Sequence, residues 1–194
     1  MDAWRSFADL SVEDPEAHQR RVYEDLVRSL PDLPAAHVLY AHHLLQRQGY
    51  SRAVDYLNER LGQGEGDAFL LIGISDLQNR SERFADAAKT LEKLQAQFPD
   101  LPAAALALGE HQVLNEQFEA GTATLQAGLR EQPTSHGYRM LARAEQQQGN
   151  LPQALAAINK AIALGNRADP NSLRLKAQIH SEMGQHAKAG NSLL

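Results

Sequence analysis

Leu30-Pro31-Asp32-Leu33-Pro34-Ala35-Ala36 is echoed 68 residues later by Phe98-Pro99-Asp100-Leu101-Pro102-Ala103-Ala104. Recurrence at a fixed spacing is the mark of a repeat architecture, and 68 is twice 34. A 34-residue comb laid on the chain brings further columns into register. Small residues fall at Ala53, Ala87, Gly121, Ala154 and Ala189, and again at Ala41, Ser75, Gly109, Ala142 and Ala177. Large apolar residues align at Leu57, Leu91, Leu125 and Ile158. Tyr50, Phe84, Phe118 and Leu151 stand three residues ahead of the first small column. Columns of this kind describe packing. A small residue lets two helix backbones approach, and a large one fills the space beside them.

Each unit reads as two helices. Ala35 to Gln48 and Ala103 to Asn115 carry apolar residues at helical spacing, as do Arg83 to Gln97 and Pro152 to Leu164. Asp14-Pro15 and Asp169-Pro170 place a capping carboxylate before a proline at the first helical position. Pro34, Pro102 and Pro152 suit that position too. Gly49, Gly149 and Gly184 mark turns inside units, where a helix end takes a left-handed residue. Two-residue alternation is not sustained anywhere, so the expectation is an all-α solenoid of antiparallel helix pairs without β-sheet. No single unit buries its apolar face, and stacked neighbours supply the core.

The columns resemble the tetratricopeptide repeat family, whose pattern runs W-x2-L-G-x2-Y, then A-x3-F, then a closing P. The best copies are Leu108-Gly109 with Gly121-x3-Leu125 and Pro133, and Leu141-Ala142 with Ala154-x3-Ile158. The tryptophan column of the pattern holds His37, Leu71, Ala105, Tyr138 and Leu173. The resemblance implies a right-handed superhelix over residues 34–194, in units 34–67, 68–101, 102–134, 135–169 and an incomplete 170–194. Residues 1–33 are then an N-terminal helical cap. In it Pro15 to Leu30 forms an amphipathic helix with Val22, Leu26, Val27 and Leu30 inward, and Trp4 and Phe7 begin a short helix over it. After Gly184 too few residues remain for a full second helix, so the expectation is a fragment of a longer protein or a face covered by another chain.

Charge and composition narrow the function. With 19 Lys+Arg against 24 Asp+Glu the net charge is −5, which argues against nucleic acid as a partner. Absence of cysteine removes disulfides, thiol catalysis and cysteine-held metals. No run approaches the ~18 apolar residues of a membrane span. No basic and apolar leader opens the chain, so a cytoplasmic location is expected, with a periplasmic or envelope-protein context left open. Of the eight histidines, His37, His42 and His43 splay over different faces of one helix, read as one packed and two at the surface. His180 and His186 straddle a turn, and no H-E-x-x-H occurs. Gly62-Gln63-Gly64-Glu65-Gly66 follows a helix rather than a strand, so it reads as a linker between repeats and not a phosphate loop. Neither catalytic residues, a metal nor a cofactor is expected.

The resemblance implies that first helices of successive units line a groove for another polypeptide. Carried over position by position, the lining residues are Val38, His42, Phe69, Ile72, Asp76, Asn79, Leu106, Glu110, Val113, Arg139, Arg143, Gln146, Arg174 and Gln178. Early units offer apolar residues with two carboxylates, and later ones three guanidinium groups. Arg139 and Arg143 share a helix face at i,i+4, and forks of this kind hold a carboxylate in a bidentate grip. A competing reading pairs these arginines with Glu145, Glu182 or Asp169 at the surface. The resulting expectation is a non-catalytic scaffold that binds a protein or peptide with an acidic end. Two alternatives stand beside it: a homo-oligomer assembled through the C-terminal face, and the recognition region of a larger enzyme or secretion or assembly factor.

Overall fold

The computed structural model describes residues 15–62, 67–165 and 169–191. The expectations for Trp4 and Phe7, for Gln63 to Gly66 and for the last three residues lie outside them. Eleven α-helices and no strand occur among the described residues. The chain divides into two compact units, Met1–Gly73 and Ile74–Leu194.

The first unit holds α1 (Pro15–Ser29), α2 (Pro34–Gln48), α3 (Tyr50–Asn58) and the opening of α4 (Asp67–Arg80). Helix α1 packs on α2 and α2 on α3. Leu44, Leu57 and Leu71 are fully buried, and the small columns put Ala41 and Ala53 at zero exposure. Behind α2 lies a polar knot. His37 Nε2 is 2.7 Å from the Pro31 carbonyl oxygen, which can only accept, so that nitrogen carries the proton. His37 Nδ1 then accepts from the Tyr56 hydroxyl at 2.8 Å and from Arg60 Nε at 3.1 Å. Arg60 lies 3.5 Å above the Tyr56 ring and also donates to the Tyr56 carbonyl. Burial pushes the Tyr56 hydroxyl up, against the opposing pull of Arg60.

Two sequence expectations change in this unit. Val22 is 51% exposed and Leu30 is exposed as well, because α1 turns Tyr23 inward to stack on His43 at 4.8 Å between centroids. His43 is therefore buried along with His37, and His42 is half-buried, so two histidines of α2 are packed rather than one.

The second unit holds the end of α4, then α5 (Phe84–Gln97), α6 (Pro102–Leu114), α7 (Phe118–Glu131), α8 (Ser135–Gln147), α9 (Leu151–Leu164), α10 (Pro170–Glu182) and α11 (His186–Asn191). From α5 onward each helix packs on the next, and the alternate helices α6, α8 and α10 also adjoin. That pattern defines a helical-repeat solenoid, in which first helices form one layer and second helices another. Leu125, Ile158 and Ile179 are fully buried in a continuous core with Val113, Leu129, Met140 and Leu141. Ala87, Ala142 and Ala154 show no exposure at all. At Gly121 a Cβ would meet Val113 Cγ2 at 2.7 Å and the Gly109 carbonyl at 3.2 Å, so α6 and α7 touch backbone to backbone there.

Helix starts follow the sequence signals with a shift of one residue at most. Pro34, Pro102 and Pro170 open their helices and Pro152 stands second in α9. Asp169 caps α10 by accepting from Asn171 N and Ser172 N. Within units, the turns after α4, α6, α8 and α10 share one closing bond, from the third residue past the helix to a carbonyl five residues back. Their left-handed residues are Glu82, Glu116, Gly149 and Gly184, spaced 34, 33 and 35 apart. Gly49 also has positive φ but a different ψ of 175°, a combination open essentially to glycine alone.

Candidate partner-binding surface

Helices α2, α4, α6, α8 and α10 are the first helices of the repeats, and the expected binding residues lie along them. In the first unit, α2 and α4 meet where Gly73 faces Val38. A Cβ on that glycine would fall 2.6 Å from Val38 Cγ2. Close approach at this level leaves larger side chains beside it with nowhere to pack. Phe69, one turn earlier on α4, is 55% exposed, and Leu39, next to Val38, is 51% exposed. Val38, His42 and Ile72 are half-buried. Leu39 was not among the sequence expectations; its large side chain on an otherwise Ala- and His-rich first helix was the available signal.

In the second unit some charged residues form pairs between repeats and others pair within one helix. Glu110 on α6 lies 2.9 Å from His136 Nε2 on α8. His136 Nδ1 faces Arg139 at 2.9 Å, and Arg139 reaches Asp169 at the start of α10 at 3.1 Å. Farther along, Gln146 on α8 donates to Glu182 on α10 at 2.6 Å. Asp76 on α4 pairs with Arg80 one turn on. The Asp169 carboxyl is held below its ordinary value, chiefly by the Ser172 hydroxyl, with the Ser172 and Asn171 amides and Arg139 adding to the effect.

Three expected positions have other duties. Val113 is 1% exposed and belongs to the core. Asn79 is buried, with its side-chain oxygen 2.9 Å from His111 Nδ1 on α6. Arg139 is occupied by Asp169, the pairing that the competing sequence reading named. Leu106 is half-buried against the core and lines the close approach of Gly128. Arg143, Arg174 and Gln178 are exposed. Neither Arg143 nor Arg174 has an ion-pair partner among the described residues. His111 and His136, which the sequence did not single out, prove to be the ring nitrogens that join neighbouring first helices.

No three His, Asp or Glu side chains come together to hold a metal among the described residues. No helix there is long and apolar enough to cross a membrane.

First helices that carry exposed Phe69 and Leu39 in the first unit, and Arg143 and Arg174 without ion-pair partners among the described residues in the second, are those of a helical-repeat interaction scaffold. Residues 79–145 and 139–194 each match a tetratricopeptide repeat family, and between them cover more than half of the chain. The chain belongs to the tetratricopeptide repeat family. Among solved structures it is similar to MamA, residues 41 to the end, from Desulfovibrio magneticus RS-1, at 17% identity over 83% of this chain and 91% of that one, with a TM-score of 0.63. MamA of AMB-1 is similar at 18% identity over 80% and 92% of the two chains, with a TM-score of 0.60. MamA of MSR-1 is similar at 18% identity over 90% and 92%, with a TM-score of 0.59. At such identities the likeness is one of fold. No curated protein matches in sequence.

Proposed function

We propose that this chain is a non-catalytic scaffold that captures a segment of a partner protein on its first-helix faces, the second unit taking an acidic end at Arg143 and Arg174. The supporting observation is the contrast on that face. Glu110, Arg139 and Glu182 each have a partner, whereas Arg143 and Arg174 stand in solvent with none among the described residues. A guanidinium presents a planar fork that grips a carboxylate through two parallel hydrogen bonds. Arg174 stands 31 residues after Arg143, so neighbouring repeats present one fork each. In the first unit, Phe69 and Leu39 offer a separate apolar contact for a partner side chain. Residues 1–33 serve as the cap of the array in this reading, and the cytoplasm is its setting.

The test is capture of partners by crosslinking from the source cells, comparing the wild-type chain with Arg143→Glu, Arg174→Glu. Both side chains are exposed, so the substitutions leave helicity intact. Loss of specific captured species supports the reading, and an unchanged set rejects it. Phe69→Asp examines the apolar contact independently. Self-assembly is separated by light scattering, where a mass that rises with concentration favours a homo-oligomer over a monomeric scaffold.

A further inference from the structure

Away from the first-helix faces, the second unit has a recess of about 290 Å³ between α7, α8 and α9. Buried Leu129 and Leu141 lie at its base, and the half-buried Tyr138 ring lines it. Gln126, Arg130 and Lys160 complete the lining, with the Lys160 ammonium 5.2 Å from the Tyr138 ring centroid. Neither Arg130 nor Lys160 has an ion-pair partner among the described residues, and the Tyr138 hydroxyl has no hydrogen-bond partner among them. The ring fills the tryptophan column of the repeat, where the preceding unit has only Ala105.

The geometry points to this recess as a second docking site, for a Glu or Asp side chain of a protein partner that carries an apolar or aromatic residue beside it. Arg130 and Lys160 are both exposed, and two cations without counter-charges at one small opening attract an anion. Arg130 supplies a fork for a carboxylate, and Lys160 supplies a point charge whose ammonium lies over the phenol ring. The leucines and the ring face give the neighbouring apolar side chain a surface to cover. A volume near the lower limit of ordinary ligand pockets suits one or two side chains rather than an extended ligand. The net charge of −5 repels a long polyanion, while a single carboxylate feels mainly the two local cations. An acidic peptide is therefore the occupant, and nucleic acid is not. The site lies on different residues from Arg143 and Arg174, so it stands or falls separately from the proposed function.

The experiment titrates a short fluorescein-labelled peptide of alternating glutamate and phenylalanine into the full chain and reads anisotropy at low salt. Arg130→Glu with Lys160→Glu weakens binding by about ten-fold or more, as expected for loss of charge-assisted bonds. The comparison is made in an Arg143→Glu, Arg174→Glu background, which removes the first-helix forks as a second place for the peptide, and the same loss of about ten-fold or more is expected there. Tyr138→Leu weakens binding while Tyr138→Phe retains it, and a glutamine-for-glutamate peptide binds poorly. Arg130→Gln with Lys160→Gln repeats the comparison without charge reversal, its thermal melt confirming the fold. The inference is overturned by no measurable binding to the Arg143→Glu, Arg174→Glu chain, or by binding in that background that survives loss of Arg130 and Lys160. Displacement of the peptide by an equal concentration of inorganic phosphate also overturns it, since the recess would then be a general anion site.

Discussion

Arg139 on α8 reaches the Asp169 carboxylate at 3.1 Å, at the point where that carboxylate caps α10. One side chain thereby ties the first helix of one repeat to the start of the next. Asp169 is engaged four ways, by the Asn171 and Ser172 amides, the Ser172 hydroxyl and Arg139. Arg139→Ala should cost about 1 kcal/mol or less, since the pair is only part-buried. Asp169→Ala should cost about 1–2 kcal/mol, because the cap is lost with the ion pair. Urea unfolding of both variants reads the difference. Equal losses would mean that the cap contributes nothing.

The same pair shows where reading from sequence ends. The fold was legible because the comb columns are packing columns: Ala53, Ala87, Ala142 and Ala154 have zero exposure, and Leu57, Leu91, Leu125 and Ile158 are buried beside them. Surface roles were less so. Asn79 and Val113 each lie three residues past a face residue, Asp76 and Glu110. Three residues rotate a helix position to about 60° short of a full turn, and on α4 and α6 that side faces the interior. Arg139 and Arg143 look alike in one dimension, and only the position of α10 makes one a tie and leaves the other in solvent. Tyr23 replaced Val22 against α2 because His43 offered it a ring to stack on.

Ala87 sits at zero exposure in the first small column, on α5. Leucine there adds three carbons where the packed interior has no room, so Ala87→Leu should destabilise by about 1–3 kcal/mol. Ala96, on an exposed turn of the same helix, is the control, and its leucine variant should change stability by less than about 0.5 kcal/mol. Denaturant midpoints of the two variants decide the register. A loss at Ala96 with none at Ala87 would shift the comb.

Glu82 and Glu116 have φ of 58° and 61°, in turns whose counterparts are Gly149 and Gly184. A side chain in the left-handed region costs roughly 1–2 kcal/mol, partly offset by the larger chain entropy that glycine loses on folding. Glu82→Gly and Glu116→Gly should therefore each stabilise the chain by about 0.5–1 kcal/mol. Gly149→Glu should do the reverse. Thermal melts that move in the opposite directions would contradict the turn assignment.

His111 is buried on α6 with both ring nitrogens occupied, Nδ1 by the Asn79 oxygen at 2.9 Å and Nε2 by Asn115 Nδ2 at 3.2 Å. The amide oxygen accepts and the amide nitrogen donates, so the ring is neutral with its proton on Nδ1. Burial lowers its affinity for a second proton below the ordinary value of 6.5. His43 in the first unit shifts the same way, by burial first and then by Arg47 and Arg20, with Glu24 opposing. The unfolded chain thus takes up protons before the folded one as pH falls. Stability from these rings is complete above pH 6.5 and is lost progressively as pH drops from there toward the folded values. His111→Gln keeps a polar side chain but cannot titrate, so its stability should depend less on pH over that window than the wild type's. Urea midpoints measured on either side of pH 6.5 make the comparison. An equal slope in the variant would show that His111 takes no part in the acid sensitivity and leave His43 to account for it.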